Sequence, residues 1–174
     1  MKSKKNTLVS RAAVGCVTTA IFLLLCIIKG IYPFGIATLD TVDFQSQWIP
    51  AYYHVWDVLH GDGSAFFDWR VGGGNNFAGV SAQFSLLSPF NLFFLFVKRS
   101  WIEKSMIVFL LIKLLVMGYG MRWFLKEQIL KEERYGIYIL AGSVGYAVNG
   151  YTLLYYGMGW LDVAAILPLL CYFF

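Results

Sequence analysis

The chain has 174 residues, of which 59% are hydrophobic, 18% aromatic and 14% charged. Soluble domains average roughly 45–50% apolar and about 25% charged residues, so the shortage of charge excludes a disordered tail and an ordinary soluble domain, which needs a charged skin. The net charge of +4 comes from 14 basic and 10 acidic residues in short groups, a pattern that excludes a nucleic-acid-binding face.

The first apolar run follows a basic start of Lys2, Lys4, Lys5 and Arg11 and extends from Ala12 to Ile28. Its 17 residues reach about 25 Å as a helix, and the flanking residues to about 32 bring it to the roughly 30 Å of a bilayer core. A cleavable signal peptide is the rival reading, but no small-x-small site follows, so an uncleaved span is expected. The basic start belongs in the cytoplasm, and the chain then emerges outside near Pro33. The three cysteines, Cys16, Cys26 and Cys171, lie in apolar runs and read as small packing residues, with neither a disulfide framework nor zinc spacing.

An outer loop over about 33–100 carries five of the six aspartates (Asp40, Asp43, Asp57, Asp62 and Asp68) and many aromatics. Its length marks it as functional, and its aromatics argue against disorder. Pro50 and Gly61 bracket one helix, with Tyr52, Val55, Trp56 and Leu59 on one stripe, suited to the membrane interface. His54, Asp57 and His60 suggest a metal set, but six residues put the two histidines about 240° apart around the helix, so solvated positions are the preferred reading. Gly72-Gly73-Gly74-Asn75-Asn76 offers backbone amides to a phosphate; without a P-loop lysine, a flexible turn is preferred. Asn75 and Asn76 stay as substrate-binding candidates. Ser88 and Pro89 open a short interfacial or re-entrant helix to about Val97, too short to span.

A second span is expected over 101–124 and a third over 135–156, with Gly142, Gly145 and Gly150 allowing close packing or local unwinding. Arg122, Lys126, Lys131 and Arg134 follow the second span, so its end is also cytoplasmic by the positive-inside rule. This topology puts all six aspartates outside, including Asp162 after the third span. Lys113 sits mid-span, where a charge costs at least about 2.5–3.5 kcal/mol. Two readings of it stand level: a structural pair with a carbonyl or with a carboxylate on a missing helix, and a place on a substrate pathway. The last run, 163–174, reaches only about 18 Å and predicts an incomplete fourth span. The expected architecture is an all-α polytopic membrane protein with about four transmembrane helices, and residues 1–174 are expected to be the N-terminal membrane region of a larger protein.

Carboxylates at the outer face suit chemistry on a lipid-linked sugar. One would take a proton from an acceptor hydroxyl while the lipid phosphate leaves, and a second carboxylate or a divalent cation would orient the acceptor or neutralise the phosphate. Asp43, with Gln47 beside it, and Asp162 have the right sidedness. Two other classes remain open: a non-enzymatic transport or export component with Lys113 on its polar pathway, and a structural membrane subunit.

The stretch Asp43-Phe44-Gln45-Ser46-Gln47-Trp48-Ile49-Pro50 resembles the Asp-x-x-x-Gln-aromatic signature in the first outer loop of the bacterial YfhO-like membrane proteins. Trp69 with Gly72-Gly73-Gly74-Asn75-Asn76 and Gly79 is similar to that family's Trp-and-glycine loop. Leu87-Ser88-Pro89-Phe90-Asn91-Leu92 resembles its Ser-Pro-Phe-Asn segment, and Trp160-Leu161-Asp162 with Leu167-Pro168-Leu169 its fourth-span opening. The resemblance covers most of residues 39–170. It implies likeness to the GT-C glycosyltransferases, which use polyprenyl-phosphate sugars outside the cytoplasmic membrane, and a role in adding sugar to a cell-surface polymer such as lipoteichoic acid. It makes Asp43 the catalytic candidate, Asp162 the second acid and Gln47 a neighbouring polar ligand. The family's ten or more spans imply that residues 1–174 alone are inactive.

Overall fold

The computed structural model describes residues 2–39, 44–70, 74, 76, 88–131, 135–155 and 161–173, with side chains from Arg11 onward. The candidates Asp43 and Asn75, the glycines Gly72 and Gly73, and residues 77–87 lie outside the described residues. Six α-helices are described: α1 (Lys2–Ile28), α2 (Ile49–Leu59), α3 (Ile102–Phe124), α4 (Gly136–Ala147), α5 (Gly150–Leu154) and α6 (Leu161–Phe173). A 3-10 helix spans Pro89–Phe96, and a π-helical turn, Phe44–Trp48, leads into α2. No β-strand occurs among the described residues. Three helical runs are long and apolar enough to cross a membrane: Arg11–Ile28, Arg99–Ile129 and Gly136–Leu154. The chain is an all-α, multi-pass membrane protein.

α1 buries Val14, Thr18, Phe22 and Cys26, one residue per turn at spacing four, which is the stripe a helix turns toward its main neighbour. That neighbour is α3, which packs on α1, α4 and α6 and forms the centre of the bundle. Three helices meet at Gly118, where a Cβ would lie 3.3 Å from Val14 Cγ1 and 3.6 Å from Ala147 Cβ. A small residue here lets three backbones approach, the usual device where lipid removes the hydrophobic drive for association. Of the glycines expected to serve this purpose, Gly142 meets Leu125, while Gly145 and Gly150 face open space. The third run breaks at Val148 and Asn149 instead. Asn149 then caps α5, its Oδ1 accepting from the Thr152 amide at 3.0 Å.

α6 runs parallel to α3. Asp162 stands beside Lys113, Pro168 and Leu169 approach Gly120, and the rings of Tyr172 and Trp123 are 4.8 Å apart. Equal steps along both helices fix the direction: α6 starts level with the middle of α3 and ends at its C-terminal end. Its 13 residues cover about 20 Å. The expected fourth span started at the outer interface; here the helix begins in mid-span. Pro168 lacks an amide hydrogen and so leaves the carbonyl four residues back, that of Ala164, without its helical partner. The Tyr146 hydroxyl donates to that oxygen at 2.7 Å, which shows how a neighbouring helix makes a membrane proline tolerable.

The segment between α1 and α3 folds onto the far end of α3. α1 stops at Gly30 (φ +62°), where Ile31 N–H donates to the Cys26 carbonyl at 2.9 Å and Gly30 N–H to that of Ile27 at 3.0 Å. α2 stops in the same way at Gly61 (φ +81°), with Asp62 N–H donating to the Asp57 carbonyl at 2.8 Å. Both are Schellman closures, which need a residue at ease in the left-handed region. Ser88 caps the 3-10 helix, its hydroxyl accepting from the Phe90 amide at 3.2 Å. The aromatic stripe of α2 does not face lipid. Tyr52 is buried, its ring 5.2 Å from Phe94 and 5.4 Å from Phe109, so α2, the 3-10 helix and α3 share one aromatic core.

Candidate functional site

Two charged centres lie on either side of that core. The deeper one is the pair of Lys113 and Asp162, with 1% and 7% of their surfaces exposed. Lys113 Nζ is 2.6 Å from Asp162 Oδ1. At that separation the ammonium and the carboxylate form a buried ion pair. The ammonium also lies 4.5 Å from the Phe109 ring centroid and 5.5 Å from that of Phe90, within cation–π range of both. Asp162 sits in the first turn of α6, where the helix dipole favours an anion. Tyr52, on α2, lies within reach of this charge; burial, with the Asp162 charge adding, pushes its hydroxyl well above the usual tyrosine value. For a structural pair the sequence offered a carbonyl or a carboxylate on a missing helix; the partner is instead a carboxylate of this chain, Asp162. The site joins a buried carboxylate, its ammonium partner and two aromatic rings within cation–π range.

The second centre ties the loop to the helices. His54 and Asp57, expected to be solvated, are only 3% and 6% exposed. Their partners come from outside α2, which a reading of one helix face does not reach. Arg99 Nε donates to Asp57 Oδ1 at 2.7 Å, Arg70 Nη1 to Asp57 Oδ2 at 3.0 Å, and Arg70 Nε to Asp68 Oδ1 at 3.0 Å. His54 Nε2 faces the Ser64 carbonyl at 2.9 Å and must carry a hydrogen, because a carbonyl only accepts. Its Nδ1 lies 2.5 Å from Asp68 Oδ2 and 3.0 Å from Arg70 Nη2. A neutral ring offers Arg70 a lone pair at Nδ1; a charged ring offers Asp68 a proton. With the ring neutral, two carboxylates face two guanidiniums and the charges cancel.

The guanidiniums shape the acids. Hydrogen bonding from Arg99 leads in holding the Asp57 carboxyl below the usual carboxylate range, against its burial. At Asp68, burial pushes upward, but the hydrogen bonds from Arg70 and the His54 charge outweigh it and the net shift is down. Reciprocally, the hydrogen bonds that Arg70 donates to Asp68 and Asp57 raise Arg70, and the one that Arg99 donates to Asp57 raises Arg99.

Of the expected site residues, Lys113 and Asp162 come together in the buried pair. Gln47 is exposed on the π-helical turn between buried Phe44 and Trp48, and Asn76 is exposed as well. Asp43 and Asn75 lie outside the described residues. Residues 44–48 follow Asp43 directly and lead into α2, which supplies Tyr52 to the pair's surroundings. Among the described residues no three His, Cys, Asp or Glu side chains converge to hold a metal ion, so no step is derived through one. Sequence reasoning missed Tyr52, Phe90 and Phe109 as the lining of the pair and Asp68, Arg70 and Arg99 as the loop's clamp. The signal available for the clamp was a balance of opposite charges within one loop.

A family model described as Bacterial membrane protein YfhO matches residues 15–172, a stretch that includes every candidate above. No curated protein and no solved structure matches the chain.

Proposed function

The chain belongs to the YfhO family of bacterial membrane proteins, and on that premise we propose that it forms part of a GT-C-type glycosyltransferase. It moves a sugar from a polyprenyl-phosphate carrier to a cell-surface polymer such as lipoteichoic acid, on the outer face of the cytoplasmic membrane. The observation that supports this reading is the buried Lys113–Asp162 pair, 2.6 Å apart, with the rings of Phe90 and Phe109 within cation–π range of the ammonium. An acceptor-rich carboxylate beside ring faces suits a hydroxylated ring, and the ammonium suits a phosphate.

In this mechanism Asp43 takes the proton of the acceptor hydroxyl as its oxygen forms the bond to the sugar's anomeric carbon. The bond from that carbon to the phosphate oxygen breaks, and the phosphate leaves with the electron pair. Lys113 offsets the charge gathering on the phosphate, which is worth most in a site shielded from water. Asp162 holds Lys113 before the substrate arrives and accepts a sugar hydroxyl once the ammonium turns to the phosphate. Gln47, Asn75 and Asn76 contact the sugar or its acceptor.

The test is sugar transfer in proteoliposomes from a radiolabelled polyprenyl-phosphate sugar to lipoteichoic acid. Asp43→Asn is expected to lower turnover by about 10²–10⁴-fold, the range for loss of a general base. Transfer that survives both Asp43→Asn and Asp162→Asn would sink the mechanism.

A further inference from the structure

The clamp around His54 and Asp57 holds more than the end of α2. The loop that it fixes carries Phe66, Phe67 and Trp69 within four residues. Phe66 and Trp69 are 74% and 76% exposed, and Phe67 is exposed as well, so these rings are not part of the core and mark an interaction surface. Their backbone is ordered from beneath. Buried Asp68 accepts from the Arg70 amide at 2.9 Å, and the Ser64 hydroxyl accepts from the amides of Phe66 and Phe67 at 3.2 and 3.3 Å. The rings of Phe67 and Trp69 meet edge to face at 5.0 Å. Gly74 (φ +109°) backs them, where a Cβ would lie 2.8 Å from Trp69 Cε3 and 3.0 Å from Phe67 Cζ.

We propose that this loop is a membrane-surface anchor. Phe66, Phe67 and Trp69 lie among the headgroups and upper acyl chains of the leaflet at the N-terminal end of α3, and the clamp holds them at that depth. Three observations select a lipid surface. The first is level. Asp57 accepts from Arg70 Nη1 on one oxygen and from Arg99 Nε on the other, at 3.0 and 2.7 Å, and Arg99 is where the run of the second span begins. Trp56 adds a second tie, its Nε1 donating to the Val97 carbonyl at 2.7 Å. The loop is thus pinned where the span leaves the hydrocarbon, the depth at which tryptophan concentrates in membrane proteins. The second is continuity: Phe96 and Trp101, which flank Arg99 in the chain, are exposed too, so apolar surface runs from the span up to the clamp. The third is chemistry. The carboxylates beside the rings are occupied by guanidiniums, which leaves ring surface and the half-exposed Arg70 to face outward. That combination matches acyl chains and lipid phosphate rather than the hydroxyls of a glycan.

The anchor depends neither on the transferase reading nor on which side of the membrane the loop occupies. The experiment records fluorine NMR spectra of the full chain, labelled with fluorotryptophan, in phosphatidylcholine nanodiscs. Trp69→Phe and Trp101→Phe assign the two lines needed; both side chains are exposed, so both variants keep the fold. A nitroxide carried high on the lipid's acyl chain is expected to broaden the Trp69 line by about twofold or more, as it broadens that of Trp101 at the interface. Broadening of Trp69 by a soluble gadolinium chelate alone would put the rings in water, open to a glycan or a partner protein. Broadening by neither probe would put them under another part of the protein. Either result overturns the proposal. Asp68→Asn weakens the clamp directly beneath the rings and is expected to cut the lipid broadening of Trp69 by about half while leaving that of Trp101, since the clamp's charge-assisted bonds set the loop's position. Trp69 broadening that is indifferent to Asp68→Asn would overturn the clamp's part in the anchor.

Discussion

At the scale of single residues, the pair of Lys113 and Asp162 is the point where stability and function are entangled. One charge in mid-membrane costs at least about 2.5–3.5 kcal/mol, and each partner lowers that cost for the other. Removing one leaves a buried charge uncompensated, a loss of about 3–5 kcal/mol, whereas replacing both with apolar groups of similar size is near neutral. Lys113→Met is therefore expected to lower thermal stability in detergent strongly, and adding Asp162→Leu is expected to restore most of it. A single variant as stable as the parent would show that the two charges are not coupled. The double variant also separates the roles, since it is expected to fold and yet transfer no sugar. The need for a partner was legible from the position of Lys113 alone, because an unpaired ammonium in an apolar run is too costly. The identity of the partner was not, because it depends on the level at which α6 begins.

At the scale of elements, local signals carried far. Pro50 and Gly61 bracket α2, and Ser88 with Pro89 opens the 3-10 helix, because caps and left-handed closures are decided by a few adjacent backbone groups. What the sequence could not convey is what each face meets. His54 and Asp57 looked solvated because their own helix offers no partner; Asp68 and Arg70 arrive from the following loop, and Arg99 from the approach to α3. This clamp makes a pH prediction. The Asp57 and Asp68 carboxyls are held below the usual range, so their contribution is fully present above the unfolded-chain value, about pH 4, and is lost as pH falls through the lowered native values. Hydrogen exchange over residues 61–70 is expected to stay slow from neutral pH down to about pH 4 and to quicken below it. Half-exposed Arg70 and Arg99 are partly screened by solvent, so the effect is local rather than global. Arg99→Gln is expected to bring the quickening to higher pH; an unchanged profile would remove Arg99 from the clamp.

At the scale of the whole molecule, the parallel course of α3 and α6 decides how the chain sits in the bilayer. Basic residues gather before α1 and after α3; on the proposed orientation, with both of these ends inside, the clamp around α2 is outside. An antiparallel bundle of simple spans would start the last helix at the outer interface. Here its start is level with Lys113, so a membrane-impermeant thiol reagent distinguishes the two arrangements. In a background with Cys16, Cys26 and Cys171 replaced by alanine, single cysteines report their access to water, because the thiolate is the reacting form. Asp62→Cys, at the exposed turn after α2, is expected to label in intact cells. Lys131→Cys is expected to label only after the membrane is opened. Val163→Cys is exposed on the protein surface yet stands in mid-span, where hydrocarbon keeps the thiol protonated and the reagent away, so it is expected to stay unlabelled in both conditions. Labelling of Val163→Cys in intact cells would put the start of α6 at the outer interface and separate Asp162 from Lys113. The ion pair and the depth of α6 thus stand or fall on one residue's reactivity.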